Sequence, residues 1–309
     1  MITGLNLALS NYCTGKCVFC PSDRGKSDRA YMELALVRTV LTQVTGPAFP
    51  WKIKSVQLSE NGDALMNPFF SEIVSMVRYH LPHARINLTT NLANFRAHTM
   101  EAVLRGKMLD SIGLNIDGHD AESYEAQKGI SYERVLRNLS TLCDMRMRYC
   151  PDMEISITVL TLQRYVEKTL ARFGQPPLKA PEHVPQSTCE DVRASLAACE
   201  WMPLDIVVRE SPVFFWAERD MPLQFDLSQY QCPQLPRVES QAFISPSGWW
   251  YPCCLDANHD QAYGSLARNT LLEIHESERR AEFITLLKER RFAEIGYPCS
   301  RVPFCQGML

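Results

Sequence analysis

Three thiols fall within eight residues in Cys13-Thr14-Gly15-Lys16-Cys17-Val18-Phe19-Cys20, directly after a short apolar run. A structural zinc site is normally closed by four ligands. Here the nearest downstream histidine is His80, and no fourth cysteine lies close. Three thiolates suit an iron-sulfur cube better, with one iron left open to an exogenous ligand. A second group gathers in the last quarter: Cys232, the adjacent pair Cys253-Cys254, Cys299 and Cys305. Four thiolates at such loose spacing could hold a second iron-sulfur cluster or a structural zinc. Adjacent cysteines do not both ligate one cube comfortably, so Cys253 is read as the ligand and Cys254 as a spare thiol. Cys143, Cys150, Cys189 and Cys199 have no matching partners and read as small buried hydrophobes.

These groups need a frame to position them. Short β-leaning runs occur at Ile2–Leu9, Ile53–Leu58, Arg85–Thr89, Ser111–Ile116, Glu154–Leu160 and Leu204–Val208. Helical patterns lie between them at Met32–Val44, Phe69–His80, Phe95–Arg105 and Tyr132–Tyr149, with a further pair near Gln163–Phe173 and Ser187–Cys199. An inserted loop is expected at Gly174–Pro185. Six alternating units imply parallel strands with crossover helices, wound into an open or partial barrel. From about Cys232 the character changes to a hairpin, Phe243–Ile244 turning at Ser247-Gly248 into Trp249–Tyr251, then a helix over Leu271–Arg290 and a cysteine-bearing tail.

The chain has 309 residues, with 32 Lys plus Arg against 35 Asp plus Glu, a formal charge of −3. That excludes a general nucleic-acid binder. Hydrophobic residues make up 46% and charged residues 22%, enough apolar material for a sizeable core. No window approaches the roughly 18 to 20 apolar residues that span a bilayer, and Met1–Asn11 has no basic region typical of a signal peptide. The expected setting is the cytoplasm without a membrane partner, where thiols stay reduced and cysteine clusters bind metal.

The C-x3-C-x2-C spacing, with Phe19 just before the third cysteine, resembles the signature of the radical S-adenosylmethionine (SAM) superfamily. In that family the open iron of a [4Fe-4S] cluster is chelated by SAM. Ser59-Glu60-Asn61-Gly62-Asp63-Ala64-Leu65-Met66-Asn67-Pro68 resembles its Gly-Gly-Glu-Pro segment, with Asp63 for Glu and Ala64 for Pro. Thr90-Asn91 resembles its Thr-Asn turn. Leu114-Asn115-Ile116-Asp117-Gly118 resembles its Ser-Leu-Asp-Gly strand end, with Asn115 for Ser. The resemblance implies that Cys13, Cys17 and Cys20 hold the SAM-binding cluster. It implies that Phe19, Glu60, Asn61, Gly62, Asp63, Asn91, Asn115 and Asp117 contact SAM. All these positions fall at carboxyl ends of successive strands, which converge on one mouth in a β/α barrel.

The carboxy-terminal pattern is similar to the shortened auxiliary-cluster, or twitch, domain of the family's SPASM branch. The implied organisation is a partial (β/α)6 radical SAM barrel over residues 1–225 and a twitch domain over 226–309. Cys232, Cys253, Cys299 and Cys305 would hold a second [4Fe-4S] cluster. The resemblance extends to aminoglycoside and aminocyclitol epimerases and dehydrogenases. It implies hydrogen-atom abstraction from a carbon of a small polar natural product, with electrons from flavodoxin or ferredoxin. Return of a hydrogen atom by the spare thiol Cys254 would give epimerisation. Loss of a second electron to the auxiliary cluster would give dehydrogenation. Many peptide-modifying relatives carry an amino-terminal peptide-recognition domain, whereas here the first strand starts within a few residues of Met1, which favours a small metabolite over a ribosomal peptide. Asp117, Glu210 and Asp256 are candidate partners for substrate amino groups and Arg209 for a hydroxyl. A zinc-stabilised scaffold without catalysis is the alternative of another class.

Overall fold

In the computed structural model, residues 1–17, 20, 29–161, 187–203, 205–212 and 231–300 are described. Six parallel strands lie side by side in chain order: β1 (Gly4–Leu7), β2 (Ser55–Gln57), β3 (Arg85–Thr90), β4 (Ser111–Asn115), β5 (Glu154–Thr161) and β6 (Val207–Pro212). The connections carry α1 (Leu34–Thr45), α2 (Phe70–His80), α3 (Ala97–Arg105), α4 (Ala121–Lys128), α5 (Tyr132–Tyr149) and α6 (Cys189–Ala197). This is the α/β partial-barrel architecture that the alternating sequence pattern implies.

The carboxy-terminal segment continues the same sheet. After α7 (Leu235–Ser240), β7 (Gln241–Ile244) pairs in parallel with β1, and β8 (Trp249–Tyr251) and β9 (Gly264–Ser265) follow antiparallel. The hairpin turn closes at Gly248, whose φ of +84° suits a residue without a side chain. Helices α8 (Leu271–His275), α9 (Glu278–Lys288) and α10 (Phe292–Ile295) follow. The division between residues 225 and 226 falls outside the described residues.

The two faces of the strands differ in chemistry. Leu5, Val56, Ile86, Leu88, Ile112, Leu114, Ile155 and Ile157 are buried in one core with the apolar stripes of the helices. The alternate positions, among them Gln57, Asn87, Thr89, Ser111, Ser156 and Arg209, line a hollow of about 520 Å³. Buried parallel strands usually read as unbroken apolar runs, and closed barrels fill their interior with branched side chains. Here the concave side is polar and open.

Several elements depart from the sequence pattern, and α7, β9 and α10 have no counterpart in it. β6 begins at Val207 rather than Leu204. The expected helix over Leu271–Arg290 is two helices, because the Ser277 hydroxyl accepts the Arg280 N–H and starts a new one. Helix α4 was not expected: its buried residues are Ser123, Tyr124, Gln127 and Lys128, so it has no apolar stripe. A capping box between Asp120 and Ser123 starts it, and left-handed Gly129 ends it. The Gln163–Phe173 helix and the Gly174–Pro185 loop lie outside the described residues.

Candidate active site

The first cysteine loop follows β1 and is fixed by its neighbours. Asn67 donates to the carbonyls of Leu9 at 2.7 Å and Met32 at 3.0 Å, holding the chain as it leaves the strand. Gly62, with φ of +120°, presses against Ser10, and a Cβ there would lie 2.2 Å from the Ser10 carbonyl oxygen. The next residue's N–H bonds the Tyr12 carbonyl at 2.9 Å. From the end of β3, the Asn91 amide donates to Cys13 Sγ at 3.2 Å, and the Gly15 N–H donates to the same sulfur at 3.3 Å. From the end of α4, the Lys128 carbonyl accepts the Lys16 N–H at 2.8 Å.

Two of the thiols, Cys13 and Cys17, lie beside Gly15. A Cβ there would stand 3.4 Å from Cys17 Sγ and 3.5 Å from Cys13 Sγ, so glycine leaves the space between them open. Burial, with the Asp63 carboxylate adding to it, pushes the Cys13 thiol up to about 12. The Cys17 thiol is also raised by burial, with Lys128 opposing. Buried thiols with raised proton affinity are suited to a cationic iron centre that replaces the proton. In the same region the Thr14 hydroxyl and the Asn61 amide nitrogen are buried without a protein partner. The donor set and these orphaned polar atoms fit an open-cornered cluster with a polar ligand. Among the described residues no three His, Cys, Asp or Glu side chains converge closely enough for a single metal ion.

Two carboxylates expected to face SAM have other tasks. Asp63 is 1% exposed, and its oxygens accept from the N–H groups of Leu65 (2.9 Å) and Asn91 (3.0 Å) and from the Thr90 hydroxyl (2.8 Å). It braces the loops after β2 and β3, and burial raises its proton affinity. Asp117 is fully buried, accepts the Leu160 N–H at 2.7 Å and forms an ion pair with Lys128. Asp256, considered for a substrate amine, is also fully buried and accepts the N–H groups of Asp260 and Gln261. A short carboxylate at a strand end or turn finds backbone donors as readily as a ligand.

Glu60 behaves differently. Its side chain is 6% exposed with Arg237 as a distant ion-pair partner at 3.9 Å, and burial lifts its carboxyl to about 7. Arg237 in turn donates to Gln241 at 3.2 Å and lies 5.2 Å over the Phe243 ring. Asn115 ends β4 in register with Thr158 of β5 and Arg209 of β6. Phe19 and Cys305 lie outside the described residues. Lys128, Arg237 and Asn67 are missing from the sequence-derived list. Only Asn67, within the Gly62–Pro68 stretch, lay beside a recognised motif.

In the second group, Cys232 and Cys299 act on each other electrostatically, and Cys253 and Cys299 both act on Tyr263. The hydroxyls of Tyr251 and Tyr263 and the indole nitrogen of Trp250 are buried here without a protein hydrogen-bond partner. Such donors suit the sulfurs of an auxiliary cluster. Cys254 belongs to different surroundings. After burial, the groups acting on its thiol are Glu60 and Arg237, at the mouth of the barrel, and it is held up at about 12.

The comparisons with known proteins agree with this geometry. Residues 7–168 match the radical SAM superfamily, and residues 232–301 match the SPASM iron-sulfur cluster-binding domain. Among curated proteins none matches. A structure of BtrN in complex with AdoMet and 2-DOIA superposes with a TM-score of 0.57 at 14% identity, covering 95% of this chain and 90% of that one. Streptococcus suis SuiB bound to the precursor peptide SuiA gives 0.62 at 14% identity, covering 99% and 76%. The structure of anSMEcpe with bound AdoMet and a Cp18Cys peptide gives 0.61 at 14%, covering 99% and 88%. At such identities the likeness shows the fold. The two domains imply a SAM-binding [4Fe-4S] cluster, an auxiliary cluster and SAM, which sets aside the zinc scaffold. No helix among the described residues is long and apolar enough to cross a membrane. With more than half of its length matched, the chain belongs to the radical SAM superfamily.

Proposed function

We propose that this radical SAM enzyme epimerises a carbon centre of a small, polar, amino-sugar-like natural product, with Cys254 returning the hydrogen atom. The observation that supports the reading is the difference in the charged groups acting on the adjacent cysteines, both of which act on the buried Tyr251. Cys253 sits with Cys299 around Tyr263, while Cys254 answers to Glu60 and Arg237 at the barrel mouth.

Cys13, Cys17 and Cys20 would hold the first cluster, and Cys232, Cys253, Cys299 and Cys305 the second. When bound, the first cluster and SAM supply reductive cleavage of the sulfonium and, through it, abstraction of a substrate hydrogen atom. Asn61, whose buried amide nitrogen has no partner among the described residues, and Asn115 at the end of β4 would bind SAM. The protein's remaining work is positioning. Arg209 of β6, in register with Thr158 and through it with Asn115 at the end of β4, offers a donor to a substrate hydroxyl. Glu60 offers a carboxylate to an amino group, the role first considered for Asp117 and Asp256. A protonated thiol is the form that can deliver a hydrogen atom, and the surroundings of Cys254 favour it; the thiyl radical left behind would be returned to the thiol by one electron from a one-electron carrier and one proton from solvent. A small one-electron carrier such as flavodoxin or ferredoxin, in the cytoplasm, is the proposed reductant.

The test is turnover of a panel of aminoglycosides and their pseudodisaccharide precursors in deuterated buffer. Epimerisation gives product with one deuterium at the inverted carbon, and Cys254→Ala loses that product while still forming 5′-deoxyadenosine. A product two mass units lighter would establish dehydrogenation instead, and reaction only with a precursor peptide would move the substrate class.

A further inference from the structure

Lys128 is a cation buried where hydrophobic packing has no use for it. Its side chain is 4% exposed, and its ammonium pairs with Asp117, which is wholly buried. Removing two charges from water is costly, and pairing them often fails to recover that cost. The position of the pair is therefore informative. The Lys128 carbonyl accepts the Lys16 N–H at 2.8 Å, and Gly129, with φ of +62°, packs so closely on Lys16 that a Cβ would lie 3.1 Å from its side chain. The end of α4 is thus seated on the cysteine loop one residue before Cys17.

Asp117 also accepts the Leu160 N–H at 2.7 Å, and of the charged groups acting on Cys17 the Lys128 ammonium outweighs the opposing Asp117. Cys13 sits in the opposite field, facing the Asp63 carboxylate while accepting the Asn91 and Gly15 N–H groups. One ligand position of the first cluster therefore has a fixed cation behind it and another has an anion.

We propose that Lys128 is a positioning charge that sets the reduction potential of the first cluster. Adding an electron to the cluster makes it one charge more negative, and a fixed cation behind Cys17 stabilises that state over the oxidised one. The effect is a potential that a physiological one-electron donor can reach more easily. The inference rests on Cys13, Cys17 and Cys20 holding the cluster and is independent of epimerisation, because its test uses no substrate.

Anaerobically reconstituted wild-type protein, Lys128→Met, Lys128→Arg and the double variant Lys128→Met/Asp117→Asn are titrated with reductant. The first cluster's paramagnetic signal is identified as the one that changes on adding SAM. Lys128→Met is expected to keep full iron and sulfide content while its ratio of reduced to oxidised cluster at a fixed potential falls about tenfold, which is 59 mV for one electron. Lys128→Arg restores the wild-type value. The double variant leaves no unpaired carboxylate and shows a smaller shift in the same direction. An unchanged midpoint in fully loaded Lys128→Met protein overturns the proposal. So does loss of cluster uptake in both Met variants, which would make the pair a structural strut only.

Discussion

Cys13 is held by hydrogen bonds from its own loop and from the end of β3, whereas Cys253 and Cys299 lie among aromatic side chains of their own segment. At the first site Asn91 and Gly15 donate to one sulfur, and the loops after β2 and α4 each tie the cysteine segment by a backbone bond. At the second, Trp250 and Tyr251 are at most 1% exposed, and Arg280 lies 5.6 Å over the Trp250 ring and 6.0 Å over Tyr263 while donating to the carbonyls of Val238 and Glu239. Directional bonds fix a loop's position while occupying little space, which suits a site that must admit SAM. Aromatic burial excludes water and holds by area, which suits a closed, four-thiolate cluster. Cys254 stands at the seam between the two.

The largest expected effect tests whether the two sites are functionally separate. Replacing Cys13, Cys17 and Cys20 together by Ala abolishes 5′-deoxyadenosine formation under dithionite while far-ultraviolet circular dichroism stays that of the wild type. Iron falls from about eight per chain to about four. Release of 5′-deoxyadenosine by this variant would remove the first site from catalysis. The next effect attacks the second site through its packing. Trp250→Ala empties a fully enclosed position and is expected to cost about 4 kcal/mol in chemical denaturation. It should lower auxiliary iron while the first cluster still responds to SAM. Loss of that response would show that the sheet continuous through β1 and β7 couples the sites.

Where the sequence is legible follows from the same contrast. The strand order rests on alternation of residues such as Ile86, Leu88, Ile112 and Leu114 with polar neighbours, a local pattern that tertiary packing reinforces. The cysteine spacing is equally local. Asp63 and Asp117 were read as ligand-facing because a carboxylate after a strand looks the same in sequence whether it points outward or turns back to backbone donors. Helix α4 has end signals in Asp120 and Gly129 but no apolar periodicity, because its buried face is Tyr124, Gln127 and Lys128, residues whose place is decided by the cysteine loop and Asp117. Arg237 lies 177 positions from Glu60 along the chain, a pairing that only the β1–β7 contact creates.

Glu60 gives a smaller effect that depends on pH. Its carboxyl is raised from 4.5 to about 7 by burial, against the pull of Arg237. Between these values the unfolded chain releases a proton that the folded chain keeps, so the unfolded state binds fewer protons and stability falls as pH rises. The contribution is absent below about pH 4 and complete above pH 7, on the order of 3 kcal/mol at most. Glu60→Gln should flatten the decline in denaturation midpoint between pH 4.5 and 7, measured on metal-free protein. The same slope in the variant would mean that Glu60 is solvated and that the seam beside Cys254 is wet.

The smallest effect compares single polar groups across the two sites. Asn91→Ala removes the donor to Cys13 Sγ and the Asn91 side-chain acceptor of the Ala93 N–H at 2.9 Å, but keeps the backbone N–H bonded to Asp63. A loss of about 1 kcal/mol is expected in metal-free protein. Tyr263→Phe removes a buried hydroxyl that no protein group engages, so its removal should cost nothing or stabilise the metal-free chain slightly. The order should reverse once clusters are loaded, if the Tyr263 hydroxyl donates to an auxiliary-cluster sulfur. Denaturation midpoints of both variants, with and without iron, separate the cases. Equal losses in the metal-free state would mean that the aromatic site is braced by directional bonds as the first one is.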